Sequence, residues 1–322
     1  MGAADGDLRL PACQGERRVS AVLFDKQLII VTGKGGVGKS SVAAALALLA
    51  SGSGKRTLLV EVNAPDRASA LLELPPFGDD VGLVGPNLWA VNLRPEQAMR
   101  EYGLMILKFE RLYQAVFENR VARHFMRFVP SLAELTLLGK LLFHMKETLP
   151  SGERRFEKIV VDAPATGHAL TFLSVPEVIL NTVPPGALAD SASWMRALLV
   201  DATRTAPVLV SLPEDMPINE TLELATALKS RVSMRPQAVV LNAAVPARFD
   251  AAELQSLAHA PALQDSARVH QVWAAQSADA AKRLAALELP LITVPRLHLP
   301  NYGRAAIESL AGHLRPLVER PR

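Results

Sequence analysis

The sequence predicts an α/β fold, a doubly wound, mainly parallel sheet with one inserted α-helical subdomain. Three observations lead there. From Gln27 onward, short β-branched runs alternate with longer helical stretches. The runs are apolar throughout rather than at every second residue, as parallel strands covered on both faces require. Residues 94–149 hold no strand-like run at all, so the alternation is broken once, in the first half of the chain.

Taken in order, residues 1–18 read as a flexible leader and residues 19–322 as the folded domain. The strands expected are LIIVTG at Leu28–Gly33, TLLVEV at Thr57–Val62, KIVVDAP at Lys158–Pro164, PVLVSLP at Pro207–Pro213, AVVLNAAV at Ala238–Val245 and LITVP at Leu291–Pro295. Asn219–Val232 and Tyr302–Val318 supply crossover helices, and the alanine-rich stretch Ala251–Leu289 reads as plain helices. Inside the insert, Tyr102, Met105, Ile106, Phe109, Leu112, Tyr113, Val116 and Phe117 recur at three/four spacing, the signature of an amphipathic helix. Leu132, Leu135, Leu138, Leu142, Met145 and Leu149 repeat it. The insert is rich in aromatic and methionine side chains, which fits either a helical subdomain packing its own core or an adaptable apolar groove for a client.

Composition narrows the functional classes. The chain has 322 residues and a formal charge of +3, too small an excess to indicate a nucleic-acid-coating surface. All of that excess falls in residues 94–149, where nine Lys and Arg face six Asp and Glu. The single cysteine, Cys13, excludes an internal disulfide and, within one chain, a Cys-x-x-Cys zinc site or iron–sulfur cluster. The longest clean apolar run, Ser41–Ala50, is about half the ~20 residues that span a bilayer. No integral membrane segment is expected. The expected compartment is the reducing cytoplasm, with a peripheral place at the membrane left open.

The strongest chemical signal is Gly33-Lys34-Gly35-Gly36-Val37-Gly38-Lys39-Ser40-Ser41, lying between a predicted strand and a predicted helix. It fits G-x-x-x-x-G-K-[ST], the loop of P-loop NTPases, in the strand–loop–helix context that the motif needs. The glycines let backbone N–H groups surround phosphate oxygens at a helix N-terminus. Lys39 is expected to reach the β and γ phosphates, and Ser40 to complete Mg²⁺ coordination. A second landmark, VVDAPATGHAL, places Asp162 at a strand end, where a carboxylate can hold the Mg²⁺ shell through water. The following Ala163, Pro164, Ala165, Thr166, Gly167 and His168 form a loop able to respond to the γ phosphate. His168 is either a turn side chain or a catalytic one.

Lys34 by itself could be a solvated loop lysine. The loop K-G-G-x-G-K-[ST] nevertheless resembles that of the MinD, ParA, nitrogenase-iron-protein and ArsA group of dimeric ATPases. That resemblance implies that Lys34 reaches the partner's nucleotide in trans. DAPATGHALTFL resembles the switch II region of the ArsA-type family, which includes arsenical-pump ATPases and ATPases that target tail-anchored membrane proteins. LPEDMPINETLEL at Leu212–Leu224 is similar to that family's P-E-x-x-x-x-x-E-T segment, and LNAAVP at Leu241–Pro246 matches too. The resemblance implies ATP and Mg²⁺ as ligands, with Asn242 contacting adenine and the backbone near Pro295 closing over the base. On its own, a strand-end turn residue is the alternative reading of Asn242.

Two departures qualify the resemblance. Asn63 falls where the family has the aspartate that orients the attacking water, and an amide positions water through its carbonyl but accepts a proton poorly. Glu61 or Asp66 could take that part, and turnover is expected to be slow. The lone cysteine also leaves neither a metalloid site nor a shared zinc, so no zinc and no iron–sulfur cluster is expected, and arsenite transport is disfavoured. The first functional expectation is a dimeric Mg²⁺-ATPase, as homodimer or with a related chain, coupling nucleotide state to an apolar protein client at residues 94–149. The alternatives are a weakly hydrolysing regulatory subunit paired with a related ATPase, and a MinD- or ParA-like positioning ATPase with an amphipathic C-terminal helix.

Overall fold

The computed structural model describes residues 22, 23, 25–95 and 132–318, without the side chains of 132, 133 and 251. The leader, Cys13 and the first predicted helix of the insert lie outside the described residues.

Eight strands form one sheet in the order β3-β4-β2-β5-β1-β6-β7-β8. They are β1 (Leu28–Gly33), β2 (Thr57–Val62), β3 (Gly82–Gly85), β4 (Leu88–Leu93), β5 (Lys158–Asp162), β6 (Thr205–Ser211), β7 (Ala238–Ala244) and β8 (Leu291–Pro295). Every pairing is parallel except β3 with β4. The doubly wound α/β class is therefore as expected, and all six predicted strands are present. Strands β3 and β4 are additional. They meet through Pro86-Asn87, where Asn87 takes the left-handed φ of 53° that a tight turn needs.

Successive strand residues bury on opposite faces, which is why the runs are apolar throughout. Ile29, Val31, Leu59, Val160 and Val208 pack with α1 (Lys39–Gly52) and α9 (Arg304–Val318). Leu28, Ile30, Leu58, Val60 and Val161 pack on the other face. That face is covered by α3 (Leu132–Phe143), α4 (Thr166–Thr182), α5 (Ala187–Val200), α6 (Asp215–Arg231) and part of α8 (Pro261–Ala285). Each fully buried Leu, Ile or Val contributes about 1.5–3 kcal/mol before conformational entropy is subtracted. Two short α-helices, α2 (Arg67–Leu71) and α7 (Ala251–Ser256), and a 3-10 turn at Leu257–His259 complete the set among the described residues.

Two packing details bear on function. Leu135, Leu138, Leu142 and Met145, four of the six residues of the insert's second periodic set, lie in the same core as Ile159 of β5 and Phe172 of α4. The described end of the insert is thus joined to the sheet rather than to a separate core. In α9, Ile307, Leu310, Leu314 and Leu317 are fully buried with α1, so the apolar face of this C-terminal helix serves the core.

At the end of the sheet away from the carboxyl strand ends, Lys158 is buried, and its Nζ donates to the carbonyls of Leu23 (3.1 Å) and Lys26 (2.5 Å). Burial pulls its pKa down from 10.5 to about 8, with Asp25 acting the other way. Between those values the unfolded chain holds a proton that the native chain has lost, so stability rises with pH. The unfolding free energy of the wild type relative to Lys158→Met, from urea titrations, is expected to rise by about 1–3 kcal/mol across that window. A flat difference would contradict the burial of this ammonium.

Candidate functional site: a phosphate cavity at the carboxyl ends of the strands

Strand β1 lies between β5 and β6, where successive crossovers turn in opposite directions along the sheet. In an open α/β sheet the crevice outside the strand carboxyl ends at such a point is the ligand site. A cavity of about 930 Å³ opens there, lined by Gly35, Gly36, Gly38, Lys39, Ser40 and Ser41 of the loop after β1. Its other walls come from Asn63–Arg67 after β2, from Asp162–Ala165, His168 and Phe172 around the start of α4, and from Glu134 and Leu137 of α3.

The glycines of the loop are needed for two different reasons. Gly33 ends β1 with φ 153°, and a Cβ there would stand 2.3 Å from the carbonyl oxygen of Val210 on β6. Gly36 and Gly38 take φ of 86° and 93°, and a Cβ on Gly38 would meet the Asn242 amide at 2.3 Å. That amide donates to the Val37 carbonyl at 2.9 Å. The residue predicted to contact adenine thus braces the loop from the end of β7, and Pro295 stands beside it, paired with Ala244 at the end of β8.

Buried Lys39 and Asp162 and half-buried Ser40 form one constellation. Ser40 Oγ donates to Asp162 Oδ2 at 2.6 Å, and Lys39 Nζ donates to the Lys34 carbonyl at 2.9 Å. Burial pushes the Asp162 carboxyl up, opposed by the Ser40 hydrogen bond and the Lys39 charge. Burial likewise pushes the Lys39 ammonium down, opposed by Asp162. These groups are desolvated and only partly compensated, a perturbation that marks candidate functional sites. Among the described residues no group of three or more His, Cys, Asp or Glu comes together.

The switch-side residues fall differently from one another. Thr166 begins α4, and its hydroxyl is 3.5 Å from Glu220 Oε2, while His168 lines the cavity. Lys34 is turned to the same acid: its Nζ pairs with Glu220 Oε1 at 2.5 Å. Asn63 lines the cavity in a left-handed conformation, φ 48°. Asp66 lines it too, but its Oδ1 accepts from Asn92 at 3.1 Å and faces Arg94 at 3.5 Å. Glu61 is fully buried and accepts the Ala68 N–H at 2.7 Å, so it ties down α2 rather than facing the cavity; burial raises its pKa. Glu220, Arg67, Asn92 and the α3 wall were not singled out by sequence. Only Glu220 carried a signal there, as the acid of the E-T pair at Glu220-Thr221.

The loop yields a paired prediction. Gly33→Ala should lower the unfolding free energy by about 2–3 kcal/mol, because it combines a positive φ with a backbone clash. Gly35→Ala meets nothing within 4 Å, so it should change stability by less than about 0.5 kcal/mol, as expected for an unconstrained surface position. Equal midpoints for the two variants in thermal denaturation would contradict this geometry.

Comparison with known proteins places the site in a family. Residues 26–184 match the family model described as anion-transporting ATPase, ArsA type. The chain is 30% identical over 309 residues to the ATPase BagA of Mycobacterium tuberculosis, covering 85% of this chain and 87% of that one. It is 26% identical over 238 residues to a putative arsenical pump-driving ATPase of Halobacterium salinarum, covering 69% of this chain and 36% of the relative. ATPase ARSA1 of Chlamydomonas reinhardtii is 26% identical over 288 residues, with 70% and 36% covered. With the phosphate loop, Asp162 and the parallel sheet in place, the chain belongs to the ArsA-type ATPase family.

Proposed function

We propose that the chain is a Mg²⁺-dependent ATPase switch that closes with a second copy, or with a related chain, and transmits its nucleotide state to a protein client at the insert around residues 94–149. The observation that carries this reading is the shared wall of the cavity. Leu137 of α3 and Phe172 of α4 line the phosphate site, and both belong to the core that joins α3 to α4. A γ phosphate that moves the start of α4 therefore acts directly on the helix that ends the insert.

The hydrolytic step is the attack of a water oxygen on the γ phosphorus. The bond to the β–γ bridging oxygen breaks, its electron pair stays on ADP, and the water's proton leaves with inorganic phosphate or solvent. Most of the acceleration in such chemistry comes from positioning and charge. Lys39 and the loop N–H groups neutralise the β and γ oxygens. The serine hydroxyl and carboxylate, 2.6 Å apart, are hard oxygen donors suited to Mg²⁺, which takes its other ligands from water and phosphate. When bound, Mg²⁺ neutralises charge shared between the β and γ phosphates. Ser40 would hold it directly and Asp162 through water.

Dimerisation is supported by where Lys34 stands. Its ammonium is paired with Glu220 beside the switch, while Lys39 stays in the cavity. A loop lysine so placed can exchange its own acid for a partner's phosphate. Slow turnover is supported by Asn63 together with the engagement of both Glu61 and Asp66. That engagement also favours a second reading, a regulatory subunit whose partner brings the missing carboxylate. A positioning ATPase held to a membrane by its C-terminal helix is disfavoured, because the apolar face of α9 is in the core. A cytoplasmic setting is part of the proposal, and no helix among the described residues is long and apolar enough to cross a membrane.

Solution mass by light scattering tests the switch. With a slowly hydrolysed ATP analogue and Mg²⁺ the mass should double, and Lys34→Ala should stay near the monomer value while still binding nucleotide. A wild-type mass unchanged by nucleotide would contradict closure with a second copy and leave pairing with a related chain as the form of the switch to be tested by co-expression.

A further inference from the structure

The turn after β2 carries a cation whose position the proposed chemistry does not yet use. Arg67 lines the phosphate cavity together with Lys39 and Asp162. Three acids also line that cavity, Asp162, Asp66 and Glu134. Asp162 takes the Ser40 hydroxyl, and Asp66 takes Asn92 and Arg94. Among the described residues Arg67 pairs with none of the three and makes no side-chain hydrogen bond. Its charge is nevertheless felt at the centre of the site, where it lowers both the Lys39 and the Asp162 pKa.

The backbone leading to Arg67 is built for that placement. Asn63 and Asp66 are both left-handed at φ 48°, a conformation that non-glycine residues hold only when the surroundings enforce it. The enforcement is visible on each side. The Asn63 N–H donates to the Leu93 carbonyl at 2.9 Å, and buried Glu61 accepts the Ala68 N–H at 2.7 Å, immediately after Arg67. The α2 backbone is thus pinned from within the sheet while Arg67, which lines the cavity, stays exposed.

We propose that Arg67 is a phosphate-contacting catalytic residue supplied in cis, engaging the γ phosphate of bound ATP through its guanidinium. The segment that lacks a water-orienting carboxylate at Asn63 supplies instead, four residues on, a planar donor suited to two phosphate oxygens at once. In the hydrolytic step described above it gains and loses no proton. It offsets the negative charge spread over the equatorial γ oxygens as the bridging bond breaks. A cation aimed at the γ phosphate distinguishes ATP from ADP, so it also makes α2 a reporter of nucleotide state.

This inference rests on the ATPase reading, and one set of measurements separates the two. Fluorescent ADP and a slowly hydrolysed ATP analogue are titrated into the full-length wild type, Arg67→Ala, Arg67→Lys and Lys39→Ala, and steady-state hydrolysis is followed for each. Arg67→Ala should keep its ADP affinity within about twofold and lose about tenfold in affinity for the ATP analogue. Its kcat should fall about 100-fold or more. Arg67→Lys should recover part of both losses, and Lys39→Ala should lose both nucleotides. A wild type that binds neither nucleotide overturns the ATPase reading and this one together. A wild type that binds and hydrolyses ATP, with Arg67→Ala unchanged in kcat and in its preference for the ATP analogue, overturns the role of Arg67 alone.

Discussion

Asp162 is a carboxylate buried at the carboxyl end of β5, between β1 and β2, and the groups around it follow from that position. A buried carboxylate is costly unless it is paired. Here the two largest compensating groups, the Ser40 hydroxyl and the Lys39 ammonium, come from the phosphate loop, and the Arg67 charge adds a smaller share. The loop and the end of β5 are therefore held in one electrostatic unit. The compensation is incomplete, as the upward pull on Asp162 and the downward pull on Lys39 show. In the proposed function a phosphate at the lysine and a cation at the carboxylate would complete that compensation.

Around that centre the other charged residues divide into those that fix the frame and those free to respond. Glu61 is spent on the backbone of α2, and Asp66 on Asn92 and Arg94. Asn242 is spent on the loop carbonyl of Val37. Lys34 instead shares the half-exposed Glu220 with Thr166 of α4. Exposed ion pairs of this kind are worth at most about 1 kcal/mol, so the contact can be exchanged when a stronger partner such as a phosphate arrives. Among the described residues Arg67 has no acid to exchange. The helix that ends the insert enters through packing rather than charge, since Leu135 and Leu138 share a core with Phe172 and Leu173 of α4.

How much of this was legible in the sequence depended on the range of each interaction. Strands β1, β2 and β5–β8 were legible because burial on both faces writes itself as a continuous apolar run. Strand β3 was not, being four residues, GLVG, on the sheet edge with its first two residues exposed. LWAVNL of β4 was passed over beside it, its polar Asn92 being kept for the turn after β2. The phosphate loop was legible because its chemistry is local to nine residues. The pairing of Lys34 with Glu220 spans 186 residues, and no local pattern encodes it. Arg67 was not legible, since its place in the cavity depends on two left-handed residues and a buried glutamate. The groove or closed bundle of the insert depends on residues 96–131, outside those described.

The central claim is that phosphate site and insert are mechanically joined through α4. Hydrogen exchange on the full chain, compared between ADP and a slowly hydrolysed ATP analogue with Mg²⁺, tests it most directly. Amides of Thr166–Thr182 and of Leu132–Phe143 should change protection together with those of the loop at 33–41. A change confined to the loop, with both helices exchanging alike in the two nucleotide states, would contradict it.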